Sequence, residues 1–162
     1  LRAAAHENFR LRIIGGGNEA WVRGLVTAAG LEDKTEWSGF LSGAPLREAL
    51  GTADVFVLPT RQDTYGAVVH EAACLGLPLL VSRHAGAADA LVRDGENGFV
   101  VDPADTRDFA QRMRFMLDAR LRARMGAASR AVGEEFSAHR RGAALWRWMH
   151  ESFLSGARVG TR

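Results

Sequence analysis

The chain has 162 residues, 47% of them hydrophobic, so it can bury one core and is short enough to form a single domain. Its formal charge of +2 argues against nucleic acid as a partner, although all of its lysine and arginine positions except Lys34 are arginine. The single cysteine, Cys74, excludes an internal disulfide, and no run of about 18 apolar residues predicts a membrane span. The first residues show neither a secretory pattern nor an initiator methionine, so we expect a piece of a larger protein.

Short apolar segments bounded by turn residues predict five strands. In chain order they are 10–14, 35–37, 54–59, 78–82 and 98–101. None of these segments alternates between apolar and polar residues. Unbroken apolar runs of this length are typical of parallel strands that are buried on both faces.

Helical periodicity fills the stretches between the predicted strands. The first helix is predicted by an apolar stripe of Trp21, Val22, Leu25, Val26 and Ala29. Further helices are predicted at 46–50, 68–75 and 87–92, from about 105, and again beyond 117. Alternating strands and helices imply right-handed crossovers, and therefore an α/β fold with an open, doubly wound, Rossmann-like parallel sheet.

The pattern divides the chain into a domain and a C-terminal extension. Residues 1–136 are predicted to form the Rossmann-like domain, and residues 137–162 an amphipathic helix followed by a tail. The helix has more apolar surface than the flank of a small sheet needs, in Leu145, Trp146, Trp148, Met149 and Phe153. We expect it to pack against the domain or against a neighbouring domain outside this chain.

Ligands of open parallel sheets bind beyond the carboxyl ends of the strands, where loops meet helix N-termini. The first such loop, "GGGNEA" at 15–20, fits the pattern G-x-G-x-x-A, and Glu36 follows at about the spacing of a ribose-binding acid. A nicotinamide enzyme built on Gly15, Gly17 and Glu36 is therefore one hypothesis. The alternatives are a glycine turn without a ligand and contact with a different nucleotide.

The second loop, "TRQDTYG", lies between a strand ending at Pro59 and a helix starting near Gly66. Gly66 permits close approach of a ligand, and the first N–H groups of the helix, at Ala67, Val68 and Val69, suit a diphosphate. Glu71, about one turn further, points back toward this end and suits a ribose diol, because a carboxylate only accepts hydrogen bonds. Asp63 suits hydroxyls at the other end of the same ligand. The alternative interpretation makes Asp63 a turn residue and Glu71 a solvated helix position.

Three other features favour structural roles over binding. His70 and Cys74 have the i, i+4 spacing of a zinc helix, but no convincing third ligand follows them, so we predict no metal site. His84 follows a strand, and a solvated loop histidine is the favoured interpretation. Arginines that would suit an anionic membrane are spread around the helices, at 112, 114, 120, 122, 124 and 130, which favours a solvated surface.

The motifs of residues 53–105 resemble those of a known family. "LPTRQDTYGAVVHEAACLGLPLL" is similar to the pattern P-S-x-x-E-x-F-G-x-x-x-x-E-A-x-A-x-G-x-P-V of the donor-binding, C-terminal domain of retaining GT-B glycosyltransferases of family 4, also called group 1. The similarity extends upstream through "LRIIGGGNEAWVRGLVTAAGL" and "TEWSGFLS", and downstream to the helix after Asp105. It departs from the pattern at Asp63, which replaces glutamate, and at Tyr65, which replaces phenylalanine. Asp89 also stands where the family commonly has glutamate.

The resemblance implies a role for each matched site residue. It implies that Glu71 holds the ribose and that Asp63 contacts the hydroxyls of the donor sugar. The other nucleotide-binding residues that it implies are Gly66, Ala67 and Val68 at the diphosphate, Phe40 and Leu41 beside the base, and Gly16 and Gly17 at the border of the pocket.

The resemblance also implies a function for the whole protein. A nucleoside-diphosphate sugar would be the donor, and an N-terminal domain of the same protein would hold a glycan or lipid-linked acceptor. It implies retention of configuration, no required cofactor and no certain catalytic residue in this half. We expect a cytoplasmic enzyme of polysaccharide or lipopolysaccharide biosynthesis, peripherally associated with the inner face of the membrane. The alternatives are the nicotinamide enzyme and a non-catalytic nucleotide-binding module.

Overall fold

The five predicted strands and the predicted helices all form. A computed structural model describes residues 8–150, apart from the side chains at 138, 139 and 148. The strands are β1 (Leu11–Ile14), β2 (Thr35–Gly39), β3 (Phe56–Leu58), β4 (Leu79–Ser82) and β5 (Gly98–Val101). The helices are α1 (Glu19–Ala28), α2 (Gly43–Gly51), α3 (Ala67–Cys74), α4 (Ala88–Leu91), α5 (Thr106–Phe115), α6 (Ala119–Glu135) and α7 (Ala138–Met149).

All strand pairs in the described residues are parallel. β1 pairs with β2, and β4 lies between β3 and β5, so the strands form a two-stranded and a three-stranded sheet. The predicted open, parallel α/β architecture is confirmed. The difference from the prediction is that the strands divide between two sheets, because β3 pairs with β4 and makes no ladder with β1.

The core lies on both faces of the three-stranded sheet. All four residues of β4 are buried. Leu79 and Val81 belong to one cluster, together with apolar residues of α3, α4 and α6. Leu80 belongs to a second cluster, with Phe99 of β5 and side chains of the α5 and α6 region. Because side chains alternate along a strand, helices cover the sheet from both sides, as the apolar runs predict.

Helix α6 packs against α3 through a face of small residues. A Cβ atom on Gly126 would lie 2.5 Å from the Gly76 carbonyl oxygen, and one on Gly133 would lie 2.6 Å from the Cys74 nitrogen. The side chain of Arg130 donates to the Leu75 carbonyl oxygen at 3.0 Å, at the C-terminal end of α3. This close packing fixes α3, the helix that contains Glu71, relative to the core.

The apolar stripe of α1 is less buried than its periodicity suggests. Val26 is 2% exposed, whereas Trp21 and Leu25 are 61% and 47% exposed. The 3.6-residue period identifies the helix, but the tertiary neighbours decide how much of its apolar face is covered.

The C-terminal helix α7 presents Leu145, Trp146 and Met149 to solvent. The side chain of Trp148 and residues 151–162, including Phe153, lie outside the described residues. The division at residue 136 and the docking of α7 stay predictions. Within residues 8–150, no helix combines the length and the apolar composition that crossing a bilayer requires.

Candidate functional site

The loops that follow β1 and β2 lie side by side. The Gly15 N–H donates to the Gly39 carbonyl oxygen at 2.8 Å, and a Cβ on Gly16 would be 3.7 Å from the Cβ of Phe40. Phe40 is 78% exposed and Leu41 is half-buried. An exposed aromatic ring next to glycine backbone leaves room for a planar group. The structure therefore brings together Gly16 and Phe40, two residues that the family resemblance assigns to one pocket.

Glu36 is engaged within the scaffold. It pairs with Arg12 across the β1–β2 ladder, and the Arg12 Nε donates to its carboxylate at 3.1 Å. Arg12 also donates to the Ala49 carbonyl oxygen at 2.9 Å and to the Thr52 hydroxyl at 2.8 Å, so the ion pair ties both strands to the end of α2. This arrangement gives Glu36 a structural role, in place of the ribose contact that the nicotinamide hypothesis requires.

The loop after β3 leads into α3, whose first backbone N–H groups are unpaired. Gly66, the N-cap of α3, adopts the left-handed conformation with φ 72° and ψ 43°, which glycine reaches without a Cβ penalty. Within residues 8–150, the N–H groups of Ala67 and Val68 make no hydrogen bond, and no side chain caps the helix. The Val69 N–H donates to the Gly66 carbonyl oxygen at 2.9 Å, so the prediction that it is a free donor is wrong. Bare N–H groups and the positive end of the helix dipole together suit an anion.

Asp63 lies in this loop, next to the segment that follows β4. Its Oδ1 accepts from the Tyr65 N–H at 3.1 Å and from the Gly66 N–H at 2.8 Å. Its backbone N–H donates to the His84 carbonyl oxygen at 3.1 Å, and its carbonyl oxygen accepts from Gly86 at 2.9 Å. The carboxylate therefore holds the turn before α3, as the turn interpretation predicts, and its predicted contact with a sugar stays a prediction.

Glu71 is exposed on the second turn of α3. Its carboxylate makes no hydrogen bond or ion pair with another residue of the described part of the chain. A carboxylate without protein partners can accept from hydroxyls of a ligand. The apolar residues around it in α3 do not bury it, so water solvates the charge.

A cleft of about 210 Å³ opens at the first turn of α3. It is lined by Thr64, Tyr65, Gly66, Ala67, His70, Gly86, Ala87, Ala90, Leu91 and Phe136. Of these residues only Gly66 and Ala67 belong to the predicted site, and Gly86 is one of the lining residues that the sequence analysis does not predict. A Cβ there would overlap with the Thr64 carbonyl oxygen, so only glycine allows the two loops to approach this closely. A glycine soon after a buried strand was the available signal.

His70 and Cys74 connect α3 to α6. The Nε2 of His70 lies 3.1 Å from the Gly133 carbonyl oxygen and 3.5 Å from the Cys74 Sγ. Burial, reinforced by the Glu134 carboxylate, raises the pKa of the Cys74 thiol. Within residues 8–150, no group of three or more His, Cys, Asp or Glu side chains is arranged to hold a metal ion.

His84 and two of the arginines considered for membrane binding, Arg112 and Arg122, contact other residues of the protein. His84 is exposed, and its backbone binds Asp63 and the Ser82 hydroxyl. Arg112 pairs with Asp108, and Arg122 donates to the Met116 and Leu117 carbonyl oxygens, at 2.8 and 2.9 Å. These two arginines stabilise the α5–α6 region.

Comparison with known proteins identifies relatives over most of the chain. It is 36% identical over 103 residues to the sulfoquinovosyl transferase SQD2 of Arabidopsis thaliana, covering 62% of this chain and 20% of that protein. It is 32% identical over 132 residues to D-inositol 3-phosphate glycosyltransferase of Acidothermus cellulolyticus, covering 76% of this chain and 29% of the relative. The chain thus spans less than a third of each of these relatives.

Solved structures have the same fold. Sucrose-phosphate synthase from Thermosynechococcus elongatus superposes with a TM-score of 0.78 at 22% identity, over 94% of this chain and 41% of that one. Anabaena HepE in complex with UDP-glucose gives a TM-score of 0.74 at 21% identity, over 92% of this chain and 43% of that one. At these identities the likeness shows the fold.

A family profile, "Glycosyl transferases group 1", matches residues 1–132, which is most of the chain and includes every site residue that the resemblance implies. The resemblance drawn from the motifs is therefore confirmed, and the chain belongs to the group 1 family of glycosyl transferases.

Proposed function

We propose that this chain binds a nucleoside-diphosphate sugar and forms the C-terminal, donor-binding half of a retaining GT-B glycosyltransferase. The observation that carries the proposal is the start of α3, where Gly66 leaves the N–H groups of Ala67 and Val68 unpaired and Glu71 stands exposed one turn further. Membership of the family makes a sugar donor the best match for these groups.

Each part of the donor has a matching group in this arrangement. The diphosphate lies at the α3 N-terminus, where main-chain donors and the helix dipole favour negative charge. The Glu71 carboxylate accepts from the ribose hydroxyls. The base lies beside Phe40 and Leu41, bordered by Gly16 and Gly17, where the ring of Phe40 offers an exposed apolar face. Asp63 is placed toward the sugar.

The chemistry that these residues supply is electrostatic. When the bond between the sugar's anomeric carbon and the diphosphate oxygen of the donor breaks, negative charge develops on the leaving diphosphate. Donors fixed before the reaction stabilise that charge without reorganising, so the N–H groups of Ala67 and Val68 lower the barrier. No residue of this half is assigned as a nucleophile. The proposed mechanism is front-side substitution, with a glycan or lipid-linked acceptor held by an N-terminal domain.

Related proteins support the class of substrate. Relatives include a sulfoquinovosyl transferase, an α-D-kanosaminyltransferase and WcaL, a colanic acid biosynthesis glycosyltransferase, and structural neighbours were solved in complex with UDP, UDP-glucose, or UDP and GlcNAc. For this chain we propose a UDP-type donor, no cofactor, and a role in polysaccharide or lipopolysaccharide synthesis. We further propose that the whole enzyme works in the cytoplasm, peripherally bound at the inner face of the membrane.

Nucleotide binding by the chain tests the proposal directly. UDP, GDP, ADP and their sugars are screened by thermal shift, and the best ligand is then titrated by calorimetry. Glu71→Gln should weaken binding about tenfold to hundredfold, because hydrogen bonds to charged groups contribute about 1.5–3 kcal/mol. Glu48→Gln is the matched control, since Glu48 is also exposed on a helix but lies in α2. Equal affinities for the two variants would refute the assigned role of Glu71.

The alternative functions predict different results. A nicotinamide enzyme would bind NADH saturably and would lose affinity in Glu36→Gln. A non-catalytic module would bind nucleotide, but the full-length protein would hydrolyse no nucleotide sugar and transfer no sugar. Hydrolysis or transfer that disappears in full-length Glu71→Gln would support the proposal over both alternatives.

A further inference from the structure

The carboxylate of Asp63 is turned back onto its own loop. Its Oδ1 accepts from the main chain two and three residues further on, at Tyr65 (3.1 Å) and Gly66 (2.8 Å). Aspartate and asparagine have the side-chain length that forms such bonds, whereas glutamate is one methylene longer. The aspartate at position 63 therefore suits the observed turn better than the glutamate of the family pattern would.

The main chain around Asp63 is fastened separately. Its N–H and carbonyl groups bond to His84 and Gly86, and Gly86 packs directly against Thr64. The backbone of residue 63 is thus held by the loop after β4, independently of the Asp63 side chain. What the side-chain bonds control is the path of the next residues, Tyr65 and Gly66.

That path decides where the donor groups of α3 point. Gly66 is the N-cap in the left-handed conformation, and the unpaired N–H groups of Ala67 and Val68 follow it immediately. The Asp63 carboxylate accepts from the two N–H groups just before this pair, those of Tyr65 and Gly66. A change in the 63–66 turn would therefore reorient the groups that meet the diphosphate.

We propose that Asp63 is a positioning residue. Its Oδ1 fixes the turn that aims the first N–H groups of α3, so it contributes to binding of the nucleoside diphosphate itself, and not only of the attached sugar. The proposal rests on the proposed function, since it requires the diphosphate to bind at α3.

Two substitutions separate this role from a sugar contact. Asp63→Asn keeps an acceptor of the same length and removes the charge. Asp63→Glu keeps the charge and restores the family residue but loses the short acceptor. If Asp63 positions the turn, Asp63→Asn should preserve nucleotide affinity and Asp63→Glu should lower it. If its carboxylate contacts the sugar, Asp63→Glu should preserve affinity for the sugar donor and Asp63→Asn should lower it.

The experiment measures calorimetric affinity for the free nucleoside diphosphate, taken as the tightest binder among UDP, GDP and ADP, and for its glucose conjugate. We expect Asp63→Asn to bind the free diphosphate within about twofold of the unmodified chain. Asp63→Glu and Asp63→Ala should each weaken it about fivefold to tenfold, from the loss of two hydrogen bonds. Unchanged affinity of all three variants for the free diphosphate, with loss confined to the glucose conjugate, would overturn the proposal.

Asp118→Ala is the control for a general structural effect. Asp118 caps α6 by accepting from Arg120 at 2.8 Å and from Leu121 at 3.3 Å, the same two-and-three-residue pattern. Asp118→Ala should lower the melting temperature about as much as Asp63→Ala does and leave nucleotide affinity unchanged. A loss of affinity equal to that of Asp63→Ala would contradict a specific role for Asp63.

If the unmodified chain binds no nucleoside diphosphate, the proposed function fails and the positioning role with it. If it binds and the Asn and Glu variants match it, only the positioning role fails.

Discussion

The packing of α6 against α3 gives a sharp stability prediction at Gly133. A Cβ on this residue would lie 2.6 Å from the Cys74 nitrogen and 2.8 Å from both the Ala73 carbonyl carbon and the Cys74 Cα. All three neighbours are backbone atoms, so no side chain can rotate away. Gly133→Ala must therefore push the two helices apart.

Two opposing contributions set the size of the effect of Gly133→Ala. Overpacking a core contact costs about 1–3 kcal/mol. Alanine in place of glycine inside a helix contributes about 1 kcal/mol in the opposite direction. Because the overlaps are with backbone, the cost falls in the upper part of its range. We expect a net loss of about 1–2 kcal/mol, which lowers the melting temperature by about 2–8 °C in a chain of this size.

Gly24→Ala is the matched control, because Gly24 also lies inside a helix, α1, but a Cβ there would have no atom of another element of residues 8–150 within 4 Å. This variant should gain about 0.5–1 kcal/mol. Urea unfolding followed by circular dichroism gives both changes in the free energy of unfolding. If Gly133→Ala is stabilised as much as Gly24→Ala, the close α3–α6 contact does not exist in solution and the reasoning fails.

Two further predictions concern a buried amide, Asn97, and a partly buried thiol, Cys74. Asn97 is fully buried, and its amide accepts from the Arg93 N–H at 2.7 Å and donates to the Leu91 carbonyl oxygen at 2.9 Å. Asn97→Ala should therefore cost about 2–4 kcal/mol in urea unfolding, and a loss below about 1 kcal/mol would contradict this role. Because partial burial raises the pKa of the Cys74 thiol, iodoacetamide at pH 8 should alkylate the native chain more slowly than the urea-unfolded chain, since the thiolate is the reacting form. The stabilisation from keeping this thiol neutral is present below the ordinary thiol pKa and is lost as pH rises through the raised pKa of the folded state. Cys74→Ala should therefore remove this loss of stability at alkaline pH. Equal alkylation rates of the native and unfolded chains would contradict the raised pKa.

Local sequence rules located most of the scaffold. The apolar runs at 78–82 and 98–101 specify β4 and β5, because strands covered on both faces need no polar alternation. The glycine at 66 marks the start of α3, because the left-handed conformation there excludes most other residues. The motifs around Glu71 also indicated the family, which the profile match confirms.

The sequence alone determined the order of the strands and helices, the family, and which loops carry the candidate ligand groups, because these follow from periodicity, turn chemistry and short motifs. Only the tertiary structure decided the partners of those groups. It placed Glu36 in an ion pair with Arg12, left Glu71 exposed, and turned Asp63 onto the N–H groups of its own loop. The physical reason is that a partner or a burying surface comes from elements distant in the chain, and spacing along the sequence does not record which of them pack together.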